Sequence, residues 1–262
     1  MRSSDTDYVL AIENLTVSFD GFKAVDDLTL YIDQGELRVI IGPNGAGKTT
    51  VLDLISGKTS ATSGSIRYNP YAQKKGRNIE LTEMREHEIV RAGIGRKFQT
   101  PSIYESLTVF ENLEISYPRG RTVLGSLTFQ RSEEVMDRIH EVAEAIFLIE
   151  MLDFQAELLS HGQKQWLEIG MLLVQSPDLI MLDEPVAGMS AKERDATAEL
   201  LREVSKEHSV LIIEHDMDLI EKICDPVIVM AEGGVLFEGK FSQVKSNEEV
   251  IEAYLGLSLI HI

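Results

Sequence analysis

The sequence predicts an α/β core, a parallel sheet with helices on both faces, carrying an inserted helical lobe. Three observations lead there. Leu37–Ile41, Leu179–Asp183 and Val210–Glu214 are short apolar runs bounded by polar residues, the texture of buried parallel strands. Segments of helical spacing alternate with these runs, as a parallel sheet requires. Residues 107–157 instead repeat apolar residues at helical intervals, which sets them apart as a lobe.

Taken in order, Val9–Phe19 alternates as a strand and Asp27–Ile32 follows it. Leu37–Ile41 ends at a glycine cluster, Gly42–Gly47. Lys48–Ser56 then has helical spacing at Val51, Leu52 and Ile55 and stops at Gly57. Ser63–Gly64 reads as a turn and Ser65–Tyr68 as a strand. A polar stretch with Lys74, Lys75 and Arg77 precedes a helix expected over Leu81–Ala92, closed by Gly93. In the lobe, Glu133, Glu134, Asp137, Glu141 and Glu144 flank an apolar stripe of Val135, Ile139, Val142 and Ile146. Arg119–Gly125 is the expected loop within it. Ser190-Ala191-Lys192-Glu193 is a capping box that should open a helix through Val204.

Length and charge narrow the classes further. A chain of 262 residues fits one domain with lobes. At that size roughly 70–75% of the unfolded surface is buried, so no disulfide or metal staple is needed. The single cysteine, Cys224, excludes a disulfide framework and suits a reducing compartment. No apolar run approaches the roughly 18 residues of a membrane span. Met1–Tyr8 has no apolar segment of the kind a signal peptide needs. With 25 Lys+Arg against 43 Asp+Glu, the net charge of −18 opposes non-specific binding to nucleic acid, and no nucleic-acid partner is expected.

Gly42-Pro43-Asn44-Gly45-Ala46-Gly47-Lys48-Thr49 fits G-x-x-x-x-G-K-[ST], the phosphate-binding P-loop. Its glycines let the backbone turn N–H groups, and the start of a helix, toward an anion. Lys48 would reach the β- and γ-phosphates, and the Thr49 hydroxyl would ligate Mg²⁺. The motif follows a predicted strand and opens a predicted helix, which is the context it needs. Leu179–Glu184 is an apolar strand ending in two acids, the Walker B pattern. Asp183 could hold Mg²⁺ through water, while Glu184 points elsewhere and could activate an attacking water. Leu159-Ser160-His161-Gly162-Gln163 precedes Walker B by about twenty residues; Ser160 is placed as an N-cap, and with the free N–H groups it forms a second anion site.

P-loop, Gln99 in Gly95-Arg96-Lys97-Phe98-Gln99, the LSGGQ-like string, Walker B and His215 in Ile212-Ile213-Glu214-His215-Asp216 follow one another in an order that resembles the ABC-transporter ATPases. The resemblance covers nearly the whole chain. It implies a P-loop NTPase core with an N-terminal antiparallel β subdomain and an inserted helical subdomain at about 100–158. The single ATPase domain would run over 8–256, with a tail at 257–262. The wording of the signature and of Asp183-Glu184-Pro185-Val186-Ala187-Gly188-Met189-Ser190 is similar to the urea and branched-chain amino-acid importer group. Within it the chain looks most like the first ATP-binding subunit of urea importers. Urea is therefore the expected solute. A branched-chain amino-acid importer and a lipopolysaccharide-type export ATPase are the alternatives.

Residue by residue, the resemblance implies that Gly42 to Thr49, with Thr50, hold ATP, and that Phe19 (Phe22 as fallback) stacks on adenine. Thr49, Gln99 and Asp183 would hold Mg²⁺. Glu184, His215 and Gln99 would act on the γ-phosphate and the water. Ser160, Gly162 and Gln163 would meet the nucleotide of a second ATP-binding subunit, a paralogue or a second copy. Two transmembrane permease subunits would dock on the helical lobe and the segment after Gln99. A periplasmic or extracellular solute-binding protein would act indirectly. The implied location is peripheral, on the cytoplasmic face of the inner or plasma membrane. Two positions depart from the pattern. His161 replaces the signature's third glycine, and Ser190 stands where an aspartate is usual.

Overall fold

A computed structural model describes residues 8–70, 78–97, 102–118, 132–223 and 226–258. Gln99, the Lys74–Arg77 stretch, Arg119–Gly125 and Cys224 lie outside them, as do residues 259–262 of the tail. The described residues form two compact units, one of 1–96, 178–184 and 201–262, the other of 97–177 and 185–200.

In the first unit, β1 (Tyr8–Phe19) and β2 (Phe22–Asp33) pair antiparallel, Phe19 opposite Phe22. The two-residue connection, Asp20-Gly21, has left-handed backbone at both positions (φ 49° and 89°). That geometry matches the twist of the strands, and Asp-Gly is the dipeptide that adopts it most readily. The second strand thus begins five residues before the expected Asp27. β4 (Ser63–Tyr68) and β5 (Ile79–Glu80) complete a four-stranded antiparallel sheet of order β2-β1-β4-β5. Ser63 and Gly64 belong to β4 and are not a turn. Gly64 (φ 93°) passes so close to β1 that a Cβ there would lie 2.4 Å from the Asn14 carbonyl oxygen. The expected helix over Leu81–Ala92 divides into a 3-10 turn, Leu81–Glu83, and a helix, α2 (Glu86–Ala92), because Met84 and Arg85 are extended.

The second sheet has the order β10-β9-β3-β8-β7-β6, built from β3 (Leu37–Ile41), β6 (Ile94–Lys97), β7 (Leu179–Asp183), β8 (Ser209–Ile213), β9 (Val227–Ala231) and β10 (Gly234–Gly239). β3 pairs parallel with β8 and β9, and β7 with β8. Every residue of β7 and β8 is buried, which is why both read as unbroken apolar runs. β10 runs antiparallel to β9, through a second left-handed pair, Glu232-Gly233. Helix α1 (Lys48–Ile55) buries Val51, Leu52, Leu54 and Ile55 in a core that includes residues of both sheets, Leu10, Ile12 and Ile66 with Ile40, Met181 and Leu211. Each such side chain contributes roughly 1.5–3 kcal/mol by leaving water.

The second unit is helical: α3 (Val109–Ser116), α4 (Glu133–Ala145), α5 (His161–Leu173) and the first part of α6 (Ala191–Val204). Thr108 caps α3 through the Glu111 N–H at 3.1 Å, and Glu111 accepts from the Thr108 N–H at 2.8 Å. The stripe Val135, Ile139 and Val142 is buried as expected. At Gly170 an added Cβ would meet Ile146 at 2.5 Å and Leu113 at 3.1 Å, so glycine sets how closely α5 approaches its neighbours. Lys97 and Glu168 are buried 3.4 Å apart, and Glu168 also accepts from the Ser102 N–H at 3.1 Å. Burial raises the Glu168 carboxyl; the Lys97 charge and the Ser102 N–H oppose the shift.

Candidate functional site

The P-loop joins β3 to α1, and its glycines have distinct reasons to be glycine. Gly42 (φ 153°) and Gly47 (φ 95°) are sterically obligatory: a Cβ would lie 2.2 Å from the Met230 carbonyl oxygen in one case and 2.4 Å from that of Ala24 in the other. Gly45 (φ 82°) has open space around it and is needed only for its backbone angle. Helix α1 starts with no side-chain cap and no acid in its first turn. Its N–H groups and positive dipole end therefore suit an anion. Lys48 Nζ donates to the Gly42 and Pro43 carbonyls at 2.6 and 2.9 Å, which holds the ammonium inside the loop. Burial lowers its pKa, and the neighbouring Glu184 and Asp183 oppose the shift. Thr49 is exposed and Thr50 half-buried.

Walker B ends on buried Asp183. Glu184 follows with left-handed backbone (φ 48°) and donates its N–H to the Ile213 carbonyl at 2.9 Å, which turns its side chain away from the strand. His215 is exposed, with Nδ1 3.5 Å from Glu184 Oε1. Its backbone is held by Glu214, a buried carboxylate that accepts from the His215 and Asp216 N–H groups at 2.7 and 3.0 Å. Asp216 in turn accepts from the Leu219 N–H at 2.9 Å at the start of α7 (Met217–Ile223). Glu214 was not among the sequence candidates. Its signal was an acid directly after the apolar strand Val210–Ile213.

Beside the P-loop lies a cavity of about 670 Å³, lined by Phe22, Pro43 to Ala46, Glu232 and Glu252 among others. Phe22, and not Phe19, faces this cavity; both rings are exposed. The far wall is the last helix, α9 (Glu248–Ser258) after the short α8 (Phe241–Val244). From α9 the buried Tyr254 hydroxyl faces the Gly42 backbone. Burial pushes its pKa up to about 12, against a smaller lowering by Gly42.

In the second unit, Ser160 caps α5. Its hydroxyl accepts from the Gln163 N–H at 3.2 Å, and Gln163 Oε1 accepts from the Ser160 N–H at 2.9 Å. The Gln163 amide also approaches Met151 Sδ at 3.3 Å, so its side chain serves its own helix start. Gly162 is buried against Glu193. His161 Nε2 lies 3.0 Å from the Ala187 carbonyl, a carbonyl that can only accept. The expected capping box at Ser190 is present: its hydroxyl accepts from the Glu193 N–H at 3.4 Å, and Glu193 Oε2 accepts from the Ser190 N–H at 2.8 Å and from its hydroxyl at 2.7 Å.

Of the three donors implied for Mg²⁺, Gln99 lies outside the described residues; the other two are hard oxygens, the buried Asp183 carboxylate and the exposed Thr49 hydroxyl. That set suits a cation that takes one or two carboxylates, phosphate oxygens and water. Among the described residues no three His, Cys, Asp or Glu side chains form a closed metal cage. No helix among them is long and apolar enough to cross a membrane.

Residues 25–187 match the family described as ABC transporter, and residues 235–257 match the branched-chain amino acid ATP-binding cassette transporter family. The chain is 35% identical over 257 residues to the high-affinity branched-chain amino acid transport ATP-binding protein BraF of Pseudomonas aeruginosa, covering 95% of this chain and 98% of the relative. Identity and coverage are the same for the corresponding LivG of Escherichia coli K12. The crystal structure of the ADP conformation of MJ1267, an ATP-binding cassette of an ABC transporter, superposes with a TM-score of 0.81. It is 33% identical, with 96% of this chain and 100% of that one covered. The chain belongs to the ABC-transporter family. It is an ATPase domain of that family, binding ATP with Mg²⁺ and hydrolysing it. ATPase subunits of its importers dimerise and associate with transmembrane permeases. These relatives carry branched-chain amino acids in their names and none carries urea, so the expectation of urea finds no support among them.

Proposed function

We propose that the chain is the ATPase subunit of an importer for branched-chain amino acids, acting on the cytoplasmic face of the membrane. The match of residues 235–257, together with relatives aligned over 95% of the chain, carries this reading of the solute. ATP binds with its phosphates in the P-loop, Lys48 at the β/γ end and the base in the cavity beside Phe22. Glu184 takes a proton from water as the water oxygen attacks the γ-phosphorus; the bond to the β–γ bridging oxygen breaks and ADP leaves. His215, its backbone fixed by Glu214, orients the γ-phosphate. Thr49, Asp183 and Gln99 would hold Mg²⁺, which when bound would neutralise developing charge on the phosphate oxygens.

Ser160, Gly162 and Gln163 complete the site of a second ATP-binding subunit, a paralogue of this chain. Closure of that pair drives two permeases through alternating access, with a solute-binding protein delivering the solute. ATP promotes closure because its γ-phosphate reaches both subunits and ADP cannot. Two measurements test the reading. Co-purified transporter in vesicles should take up leucine, isoleucine or valine on ATP addition; urea uptake alone would overturn the solute. Mixing Lys48→Ala with Ser160→Arg copies should restore no hydrolysis, while adding the paralogue rescues the Ser160→Arg chain. Robust recovery without the paralogue would favour a homodimer, in which one of the two composite sites of a mixed pair keeps both wild-type halves.

A further inference from the structure

The signature loop does not present a free serine. Ser160 Oγ donates to Glu193 Oε1 at 3.0 Å. A hydroxyl has one proton and cannot donate to this carboxylate and to a phosphate oxygen at once. The same carboxylate oxygen lies 2.4 Å from where a Cβ on Gly162 would stand, so it rests against the bare backbone of the loop. Its other oxygen is held by the Ser190 hydroxyl and N–H. Hydrogen bonds from Ser190, chiefly, keep the carboxyl below the usual carboxylate range; that from Ser160 and the nearby His161 add to them. Ser160, His161, Ala187, Gly188 and Ser190 around it are all exposed.

We propose that Glu193 is an anionic stand-in for the γ-phosphate of the nucleotide on the partner subunit, and that ATP must displace it for the two subunits to close. The inference rests on the reading of Ser160 as a ligand of that nucleotide. Separated subunits hold Ser160 in the geometry a phosphate oxygen would use, and a fixed negative charge resists any weaker anion. An incoming γ-phosphate accepts the hydrogen bond that Ser160 gave to Glu193, and Glu193 keeps its bonds to Ser190. Glu193 thereby sets the ATP concentration at which closure occurs.

Glu193 is also the capping-box residue of α6, so the test must separate charge from cap. Glutamine retains the cap, because its carbonyl still accepts from Ser190, and removes the charge. ATP-driven association is measured by sedimentation in a Glu184→Gln background, with the partner subunit present. Glu193→Gln should lower the half-maximal ATP concentration about tenfold, the size of one like-charge contact at a surface. Its salt dependence should also weaken, since salt screens this repulsion only while the Glu193 charge is there. Unchanged association in Glu193→Gln, with a lowered Tm in Glu193→Ala, would reduce Glu193 to a helix cap and overturn the proposal. Ser160→Arg is the control. If it associates normally, the reading of the signature fails; if it does not and Glu193→Gln is neutral, only the role of Glu193 fails.

Discussion

Glu184 is asked to do two things that a single substitution series can separate. As a base it contributes roughly 10²–10⁴-fold, which is about 3–5 kcal/mol of barrier. As a residue with left-handed backbone (φ 48°) it stores strain of about 1–2 kcal/mol. Glu184→Gln keeps the shape and the strain, so turnover should fall at least a hundredfold while Tm stays put. Glu184→Gly relieves the strain but adds about 0.5–1 kcal/mol of chain entropy to the unfolded state. The net gain is about 0.5–1 kcal/mol, a Tm rise of roughly 1–4 °C for a chain of this size. Calorimetry gives Tm, and single-turnover hydrolysis gives the chemical step. A loss below tenfold in Glu184→Gln would refute the base. A lower Tm in Glu184→Gly would refute the strain.

Other positions give independent checks. Gly42→Ala places a Cβ 2.2 Å from the Met230 carbonyl oxygen at φ 153°, so the loop must shift; ATP affinity by calorimetric titration should drop at least tenfold, and an unchanged Kd would contradict the packing. Lys48 has a pKa lowered from 10.5 by burial, and phosphate needs its ammonium form. ATP affinity should therefore begin to fall below pH 10.5 as alkali removes that proton, and Lys48→Arg, which stays charged, should lose this dependence. Folding stability moves the other way, because the buried charge disfavours the native state until the proton leaves; rising pH should add stability up to the ordinary lysine range. Lys97→Met leaves Glu168 buried without its cation, and chemical denaturation should register a loss of about 3–5 kcal/mol; a neutral result would mean that the pair is solvated.

What was legible in the sequence was local. The P-loop, the Walker B strand and the Ser190–Glu193 capping box each depend on a few adjacent residues, and their spacing survives folding unchanged. Asp20-Gly21 and Glu232-Gly233 were equally local turn signals that went unread, so β2 was expected to start too late. Ser63–Gly64 misled for the opposite reason. The pair has turn composition, but close approach to Asn14 across the sheet needs that glycine inside a strand. The break at Met84–Arg85 within an otherwise helical pattern has no such marker. Long-range features were not readable at all. Nothing near Tyr254 announces that it faces Gly42, and nothing near Phe22 says that it, and not Phe19, borders the cavity. Ser160 could be read as an N-cap, whereas its bond to Glu193 spans 33 residues and two helices. The solute was not readable, because the wording that suggested urea lies in the signature and Walker B segments, which carry no solute chemistry.

The claim most exposed to test is that each hydrolysis site takes its P-loop from one subunit and its signature from another. ATP affinity and turnover, measured side by side on isolated Lys48→Ala and Ser160→Arg chains and on each with the partner subunit, address it directly. Lys48→Ala should lose ATP affinity in the isolated chain, because Lys48 serves that chain's own nucleotide. Ser160→Arg should bind ATP with wild-type affinity when isolated, yet regain hydrolysis at its own P-loop only beside a partner whose signature is intact. Equal loss of ATP affinity in both isolated chains would place the signature at its own chain's nucleotide and contradict the composite site.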